Sequence, residues 1–298
     1  MKIKKVFITG SSGFIARNFI EMFKKKYRIV APRHNELDLL NTEAVEKFFK
    51  KLGPFDFVIH TAIIGGNRKI SNTPEIGIAN LRIFFNIVRN QKYFSKMINL
   101  GSGIEYGKER PLVKIAEVDF DKYVPEDNFG LYKYICAKYI ENSKKIINIR
   151  SFGVWGSYED PTIRFISNSL CKYILRMSIT LNQNAKFDYL YVNDLVNILD
   201  MFLSKRFKFN DYNVVSGHSI DLLTIANKIN ALSEYKCKIL VNKKGFAKEY
   251  SASNSRLLKE IGGFKFMDFD EALAELYRWY LKRKTLLKKG DFLDDHFK

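Results

Sequence analysis

Long hydrophobic runs and closely spaced cysteines are missing from this sequence. No stretch approaches the roughly 20 apolar residues that a transmembrane helix needs, so we expect no membrane span. The three cysteines, Cys136, Cys171 and Cys237, are odd in number and far apart, and their spacing matches no metal site. They predict reduced thiols in a cytoplasmic protein, without a disulfide framework or a bound metal.

Acidic residues are fewer than basic ones, yet no nucleic-acid-binding motif accompanies the excess. The chain has 50 Lys and Arg against 32 Asp and Glu, a net charge of +18, and the basic residues are spread along its whole length. We therefore expect no nucleic-acid partner. A generally positive field would attract polyanionic small molecules such as dinucleotides and nucleotide sugars. A compositional bias without function explains the charge equally well.

The first motif follows a short strand pattern near the N-terminus. With 298 residues, the chain has room for one large domain or two modest ones. Residues 4–9 are β-branched and aromatic, and we expect this basic, then briefly apolar start to be a first strand rather than a signal peptide. The turn Gly10-Ser-Ser-Gly-Phe-Ile-Ala16 comes next, before a helical pattern. This order is typical of dinucleotide binding, with an ordinary β-α turn as the alternative.

Each small residue of that turn has a physical role in the dinucleotide interpretation. Gly10 allows a tight turn, Gly13 lets the backbone approach a pyrophosphate, and Ala16 lets the helix pack on the strand. The phosphates would accept hydrogen bonds from the free N–H groups at the helix start. The predicted cofactor-binding residues of this turn are Gly10, Ser12, Gly13, Phe14 and Ile15.

The end of the second predicted strand bears on the choice of cofactor. Residues 27–31 form the strand pattern, and Arg33 follows it. An acidic residue here would accept the ribose 2′-hydroxyl of NAD, whereas an Arg suits the 2′-phosphate of NADP. Arg33 therefore favours NADP(H), NAD(H) stays possible, and a surface-loop Arg is the alternative. Asp38 and Leu39 are expected to flank the adenine.

A regular alternation of strands and helices predicts the fold class. Strand patterns at residues 57–60, 97–100 and 146–150 bring the total to five strands in the first 150 residues. Such alternation indicates an α/β fold with a Rossmann-type, doubly wound parallel sheet. Ligands of these sheets bind beyond the carboxyl ends of the strands. The predicted residues at those ends include Ala62 and Ile63, which we expect to contact the cofactor, and Ser102.

The second half of the chain has a looser pattern. We expect residues 1–150 to form the dinucleotide-binding domain, with returns to it near residues 188–217. A smaller, mostly helical substrate-binding domain would comprise residues 151–187 and 218–298. A strand pattern at residues 212–216 predicts the last strand of the large sheet.

A helical run contains the candidate proton-transfer pair. Tyr134 and Lys138 are four residues apart in a segment without Gly or Pro, so their side chains share one helix face. A fixed ammonium favours the phenolate, and such a phenol can exchange a proton with an alcohol or ketone. Taken alone, the pair is more simply a solvated helix face, because the chain is rich in Tyr and Lys.

The motifs together resemble the extended short-chain dehydrogenase/reductase family, also described as the NAD-dependent epimerase/dehydratase family. Within it, the resemblance is to the 4-keto sugar reductases similar to GDP-L-fucose synthase. The matching segments, besides the glycine turn, Ser102 and the Tyr134–Lys138 pair, are His60-Thr-Ala-Ile63, Asp188-Tyr-Leu-Tyr-Val-Asn-Asp194 and Tyr212-Asn-Val-Val-Ser-Gly217. The narrower likeness rests on residues 33–39, Ile64-Gly-Gly-Asn67 and Leu100-Gly-Ser-Gly-Ile-Glu-Tyr106.

The resemblance implies a catalytic role for three residues. Tyr134 would donate a proton to a sugar ketone oxygen while the nicotinamide supplies a hydride to the carbon. Lys138 would lower the pKa of Tyr134 and hold the nicotinamide ribose, so both residues are also expected cofactor contacts. Ser102 would hydrogen-bond the same oxygen, although a strand-end Ser that satisfies local backbone is the alternative.

Several positions depart from the family pattern. GDP-L-fucose synthases have a Cys two residues after the Ser, as one half of an acid/base pair, and this chain has Ile104; the partner His seems to fall at Arg164. Sugar 4,6-dehydratases have an Asp-Glu pair at the positions of Gly103 and Ile104. Glu105 comes one residue late and should face away. The resemblance therefore implies neither C3/C5 epimerisation nor dehydration.

Two further departures lie nearer the expected substrate. Gly153 replaces an Asn of the family, and Phe187 replaces an Arg, for which Lys186 could substitute. The main expectation is an NADPH-dependent C4 reductase of a nucleotide-diphospho 4-keto-deoxysugar, GDP-linked and late in surface-polysaccharide synthesis. A nucleotide-sugar 4-epimerase with bound NAD and a catalytically silent dinucleotide-binding protein are the alternatives. By analogy with the family we expect a homodimer through helices near residues 76–91 and 131–144.

Overall fold

The computed structural model describes residues 3–65 and 73–293 of the chain. Its strands are β1 (Lys5–Thr9), β2 (Arg28–Val30), β3 (Phe55–His60), β4 (Phe94–Ser102), β5 (Leu112–Ile115), β6 (Ile146–Ser151), β7 (Gly153–Trp155), β8 (Ile179–Asn184), β9 (Lys186–Tyr191), β10 (Asp211–Val214), β11 (Ser219–Asp221), β12 (Ile239–Phe246) and β13 (Tyr250–Ala252). Its helices are α1 (Phe14–Phe23), α2 (Thr42–Leu52), α3 (Pro74–Val88), α4 (Asn128–Glu141), α5 (Phe165–Ile174), α6 (Val192–Ser204), α7 (Leu222–Asn230), α8 (Ser255–Ile261) and α9 (Phe269–Leu281).

A six-stranded sheet in the order β10-β6-β4-β3-β1-β2 forms the centre of the molecule. Every neighbouring pair in it is parallel, which confirms the predicted Rossmann-type α/β fold. Strand order reverses between β1 and β3, and ligands of such sheets bind at this switch point. β10 confirms the predicted last strand of the sheet.

Helices cover both faces of the large sheet because its strands are apolar on both sides. One face packs against α1, α6 and α8, with buried residues such as Phe19, Leu199 and Leu257. The other face packs against α2, α3 and α4, with Phe49, Phe84 and Ile140. This arrangement leaves the carboxyl edge of the sheet, where the predicted site residues lie, free of a covering helix layer.

The smaller half of the molecule contains more strand than expected. A mixed sheet in the order β11-β9-β13-β5, with β7 paired to β9, stands beside the helical cluster of α5, α7 and α9. Residues 112–115 belong to the first half of the chain, yet they form β5 and pair with β13. This pairing spans well over 100 residues, so local sequence patterns could not reveal it. The predicted domain boundaries and the homodimer stay predictions.

Two other expectations concern the chain as a whole. Cys136, Cys171 and Cys237 are all free and buried, as expected of reduced thiols. Within the described ranges, no helix has both the length and the apolar composition needed to cross a bilayer.

A buried ionic network lies beneath the end of β4. The carboxylate of Glu105 is fully buried and accepts hydrogen bonds from Arg150 Nε at 2.7 Å and Asn148 Nδ2 at 2.8 Å. Arg150 is 1% exposed and also bonds Asp211. The second oxygen of Glu105 accepts the backbone N–H of Ser102 at 2.9 Å. The network therefore connects the core of the sheet to a predicted catalytic residue.

Replacing Arg150 by Met should lower the free energy of unfolding by about 3–5 kcal/mol, because it leaves the Glu105 carboxylate buried without its cation. Urea unfolding followed by circular dichroism measures the change. The double variant Arg150→Met/Glu105→Gln should recover part of the loss, since a neutral amide carries no buried charge and still accepts the Ser102 N–H. A single variant within about 1 kcal/mol of the wild type would contradict this account of the network.

Candidate active site

A cleft of about 560 Å³ opens beside the glycine turn. The residues that line it come from the ends of β1 and β2 and from the first turns of α1: Ser11, Ser12, Arg17, Ala31, Arg33 and Glu36. Ser12, Arg17 and Arg33 thus meet at one place although they come from two segments. The two guanidinium groups give the cleft the charge that a phosphate-bearing ligand requires.

The glycine turn has the geometry that its sequence predicts. Gly10 has φ +68°, and a Cβ there would come within 3.0 Å of Ala62 Cα, so a side chain is excluded by both conformation and space. The Gly13 N–H donates to Gly10 O at 2.8 Å, and α1 then begins at Phe14. The N–H groups at Phe14 and Ile15 belong to the first helical turn, which leaves them available to an anion. Ala16 is 1% exposed and packs in the core as expected.

Arg33 shares its turn with an acidic residue that sequence reasoning did not single out. The backbone N–H of Arg33 donates to Glu36 Oε2 at 2.7 Å, and both side chains line the cleft. The Arg17 guanidinium stacks on the Tyr158 ring at 3.8 Å, which orients it beside the same cleft. The cleft thus has two cations and one carboxylate, and that carboxylate already accepts a hydrogen bond. This set of charges favours a 2′-phosphate over a ribose 2′-hydroxyl.

Asp38 and Leu39 lie in a loop that Asn86 of α3 holds in place. Asp38 Oδ1 accepts the Leu40 N–H at 2.9 Å, and Asn86 Nδ2 donates to the carbonyl oxygens of Leu39 and Leu40. Neither Asp38 nor Leu39 lines the cleft. Their contact with the adenine stays a prediction.

A second, smaller cavity lies under the loop that follows β3. Ala62 and Ile63 line it together with residues of β3, β4, α3 and α4: His60, Asn80, Phe84, Asn99, Tyr132, Lys133 and Cys136. The amide of Asn80 bonds both the N–H and the carbonyl oxygen of Ile64, which fixes the loop. Gly66 and Asn67, the last residues of the predicted Ile64–Asn67 turn, lie outside the described residues.

The charged group in this second cavity is Lys133, a residue that sequence reasoning missed. Its side chain is buried, and its Nζ donates to Leu100 O at 2.5 Å, two residues before Ser102. Burial lowers the pKa of Lys133, while the Glu105 carboxylate acts in the opposite direction. Burial, with a smaller effect of the Lys133 charge, lowers the pKa of His60 to about 3, so its ring is neutral at pH 7.

Besides the Lys133 ammonium, the second cavity contains the hydroxyl of Tyr132. Tyr132 is 4% exposed, and its hydroxyl has no hydrogen-bond partner among the described residues. A buried hydroxyl without a partner is unfavourable by about 1–3 kcal/mol, so a ligand hydroxyl or water would stabilise it. The cavity lies next to the predicted cofactor loop. The cavity has a volume of only about 10 Å³, room for about one water molecule.

Tyr134 and Lys138 lie on a different side of α4. The Tyr134 hydroxyl donates to Asp121, and Lys138 Nζ bonds Asp121 at 2.9 Å and Glu141 at 2.6 Å. Neither residue lines the cleft or the second cavity. The hydrogen bond to Asp121 raises the pKa of Tyr134. The Lys138 charge acts in the opposite, expected direction but is outweighed by Asp121, and the role of the pair in proton transfer stays a prediction.

Helix register places Tyr134 and Lys138 on a different side of α4 from Lys133. Phe129 and Lys133 have the same four-residue spacing as Tyr134 and Lys138, but they are five residues earlier. Five residues turn an α-helix by roughly 140° beyond a full turn, so the two pairs face different directions. The tertiary contacts of α4 place Lys133 inward. Buried apolar neighbours at Cys136 and Ala137 were the available signal.

Ser102 is the predicted catalytic residue whose position agrees with the expectation. It ends β4 at the carboxyl edge, and its Oγ accepts the Ile104 N–H at 3.4 Å. Residues 103–106 form a short 3₁₀ helix in which Glu105 turns inward to the core, as expected. The first turn of α4 packs beside this helix, with Gly130 close to Ile104 O. Ser102 thus lies two residues after Leu100, whose carbonyl oxygen accepts the Lys133 ammonium, and neither Ser102 nor Tyr134 lines the two cavities.

Comparison with known proteins places this architecture in a family. The model of the NAD dependent epimerase/dehydratase family matches residues 6–215. A GDP-L-colitose synthase of Yersinia pseudotuberculosis is 21% identical over 94% of this chain and 99% of its own length. A GDP-L-fucose synthase of Azorhizobium caulinodans is 26% identical over 66% of this chain and 70% of its own.

A solved structure shares the fold along nearly the whole chain. The GDP-mannoheptose C4 reductase of Campylobacter jejuni, with NADP bound, superposes with a TM-score of 0.80 at 18% identity, covering 94% of this chain and 99% of its own. These findings confirm the resemblance to the GDP-L-fucose synthase-like members. Because the family model covers well over half of the sequence, this chain belongs to the NAD dependent epimerase/dehydratase family and is an NAD(P)-dependent oxidoreductase of the short-chain type.

Proposed function

We propose that this enzyme is an NADPH-dependent C4 reductase of a GDP-linked 4-keto-deoxysugar, without built-in C3/C5 epimerase activity. The observation that carries the proposal is the grouping at the end of β4. Ser102 ends β4 on the sheet edge that bears the phosphate cleft, two residues after the carbonyl oxygen that binds the buried Lys133, and the residue after Gly103 is the apolar Ile104. This grouping can bind a dinucleotide and a carbonyl oxygen, but Ile104 cannot move a proton at a neighbouring carbon.

The charge of the cleft supports NADPH over NADH. Arg17 and Arg33 both line it, and Glu36 already accepts the Arg33 N–H. An acidic residue at this strand end is typical of the NAD-retaining epimerases, so Glu36 is the feature that favours the 4-epimerase alternative. Its hydrogen bond to the backbone of the turn supports a structural role instead. The NADP-bound reductase of Campylobacter jejuni agrees with this preference.

The relatives support the substrate class. Their names specify GDP-linked sugars in the colitose synthase, the fucose synthase and the mannoheptose C4 reductase. When bound, NADPH would supply the hydride for reduction at C4. In the chain itself, Ser102 would hydrogen-bond the carbonyl oxygen and stabilise the charge that develops there. Lys133, rather than Lys138, would hold the nicotinamide ribose.

We expect the enzyme to oxidise NADPH when it is mixed with GDP-linked 4-keto-6-deoxyhexoses in a stopped-flow instrument. The absorbance at 340 nm should fall in proportion to the amount of sugar. The same reaction in D₂O should give a product without deuterium at C3 and C5, because Ile104 cannot exchange those protons. Deuterium at either carbon would contradict the absence of epimerase activity. Failure with every GDP- and dTDP-linked keto sugar would count against reduction itself.

Replacing Arg33 by Ala should weaken NADPH binding by about 10–100-fold, the effect expected for one lost charge-assisted hydrogen bond. NADH binding should change little, because NADH has no 2′-phosphate. Fluorescence titration with each cofactor measures both dissociation constants. An equal loss for the two cofactors would show that Arg33 supports the turn rather than the phosphate.

Replacing Lys133 by Met should weaken NADPH binding by about 10–100-fold and lower kcat/KM further, since the ammonium inside the cavity is lost. The matched variant Lys138→Met removes an ammonium that Asp121 and Glu141 hold at the surface, and both quantities should stay within about twofold. A larger loss of NADPH affinity and kcat/KM in Lys138→Met than in Lys133→Met would support the predicted role of the Tyr134–Lys138 pair.

A further inference from the structure

The reductase function leaves one chemical requirement unmet at the site. Reduction of a ketone needs a proton for the oxygen, and the family resemblance puts a Tyr four residues before the Lys that faces the cofactor. In this chain that position is Phe129, which has no hydroxyl. The Tyr134 hydroxyl bonds Asp121 on another side of α4. Another group must therefore donate the proton.

A phenol from the second half of the chain reaches Ser102. Tyr250 begins β13, between β5 and β9, where it pairs with Leu112 and Phe187. Its hydroxyl lies beside Gly103, the residue after Ser102, and the Ser102 side chain favours its phenolate form. Ser102 is the hydroxyl that would bind the substrate carbonyl. An oxygen that accepts a hydrogen bond from Ser102 is thus within reach of the Tyr250 hydroxyl.

The space for this phenol exists because residue 103 is glycine. A Cβ on Gly103 would lie 2.5 Å from the Tyr250 hydroxyl oxygen, closer than any two such atoms approach. The Tyr250 hydroxyl therefore occupies the place of a side chain at residue 103. In the dehydratases that this chain resembles, that position belongs to an acidic residue. The tyrosine thus brings an acid to a location where related enzymes use one for proton transfer.

The aromatic surroundings of Tyr250 include another departure from the family pattern. Its ring lies 4.6 Å from the Phe152 ring and 6.2 Å from the Phe187 ring, between centroids. Phe187 stands where the family has an Arg, and Gly153 follows Phe152 where it has an Asn. Of these departures, Phe187 packs on the Tyr250 ring, and Gly103 leaves room for the Tyr250 hydroxyl. The two changes have a common explanation if Tyr250 has taken over a function.

We propose that Tyr250 is the proton donor of the reductase, in place of the phenol that Phe129 lacks. This inference rests on the proposed reductase function. The bound cofactor supplies the hydride to the carbonyl carbon. The carbonyl oxygen takes the proton from Tyr250 Oη as the C=O double bond becomes single, which gives the alcohol and a Tyr250 phenolate. The phenolate then regains a proton from water.

The electrostatics around the phenol are compatible with this role. Burial raises the pKa of Tyr250, so the phenol is protonated at neutral pH and, like Tyr134, is a weaker acid than a free phenol. The Ser102 side chain and the Arg164 guanidinium favour the phenolate that forms, whereas Glu105 and Tyr106 oppose it. Arg164 sits where the resemblance puts the His of the acid/base pair. Here its positive charge favours the Tyr250 phenolate, the effect that the resemblance implied for Lys138 on Tyr134.

Replacing Tyr250 by Phe removes the hydroxyl and keeps the ring between Phe152 and Phe187. With a GDP-linked 4-keto-6-deoxyhexose, kcat should fall by about 100-fold or more, the usual contribution of a general acid. The NADPH dissociation constant and the melting temperature should not change. The matched control Tyr123→Phe removes an exposed phenol that bonds Glu126 and should leave kcat unchanged. A Tyr250→Phe kcat within about threefold of wild type would overturn the proposal. A large fall of kcat in Tyr132→Phe together with an unchanged kcat in Tyr250→Phe would assign the proton to Tyr132 instead.

A second measurement separates this proposal from the choice of sugar. The ionisation of Tyr250 is followed by NMR with ¹³Cζ-labelled tyrosine, using Tyr250→Phe for assignment, in the presence of NADP⁺ or NADPH. The positive nicotinamide ring of NADP⁺ beside the phenol should lower its pKa by about one unit or more relative to NADPH. Equal pKa values in the two complexes would overturn the proposal.

The possible failures are distinguishable. If the NADP⁺ shift appears but no keto sugar is reduced, the substrate class is wrong and the placement of Tyr250 beside the nicotinamide stands. If neither cofactor form binds, the proposed function fails and the role of Tyr250 fails with it.

Discussion

The buried carboxylate of Glu105 is the constraint on which the site depends. It accepts the Ser102 N–H with one oxygen and hydrogen bonds from Asn148 and Arg150 with the other. Ser102 is therefore tied to strand β6 and, through Arg150, to Asp211 of β10. A hydroxyl that must bind a carbonyl oxygen needs this fixed backbone, because a donor that reorients during the reaction stabilises less charge.

The same carboxylate connects Ser102 to Lys133 through electrostatics. The Lys133 side chain is buried near the end of β4, where its Nζ donates to Leu100 O. Burial lowers the pKa of Lys133, and the Glu105 carboxylate raises it. An ammonium in such a place stays charged only if a compensating anion is near. The Lys133 ammonium, the Ser102 backbone and the core network are thus connected by the Glu105 carboxylate. Lys138, with Asp121 and Glu141 at the surface, belongs to no such unit.

Much of the fold could be predicted from the sequence, because its signals are local. The glycine turn, the parallel strands and the position of Ser102 follow from patterns a few residues long. The choice between Lys133 and Lys138 could not, since both have an aromatic residue four positions earlier and only the packing of α4 selects one. Pairing of β5 with β13 is equally hidden, because the two strands are far apart in the sequence. Tyr250 comes near Ser102 through the pairing of β13 with both β5 and β9.

The departures from the family pattern are more informative once they are placed in space. In the sequence, Gly103, Gly153 and Phe187 look like unrelated losses of polar side chains. In the structure, Gly103 leaves room for the Tyr250 hydroxyl and Phe187 lies beside its ring. Phe129 of α4 lacks the hydroxyl that the resemblance puts four residues before Lys133. In the proposed mechanism, a loss at α4 and a gain from β13 together keep one phenol near Ser102, so the proton donor keeps its chemical kind while its position in the chain has moved.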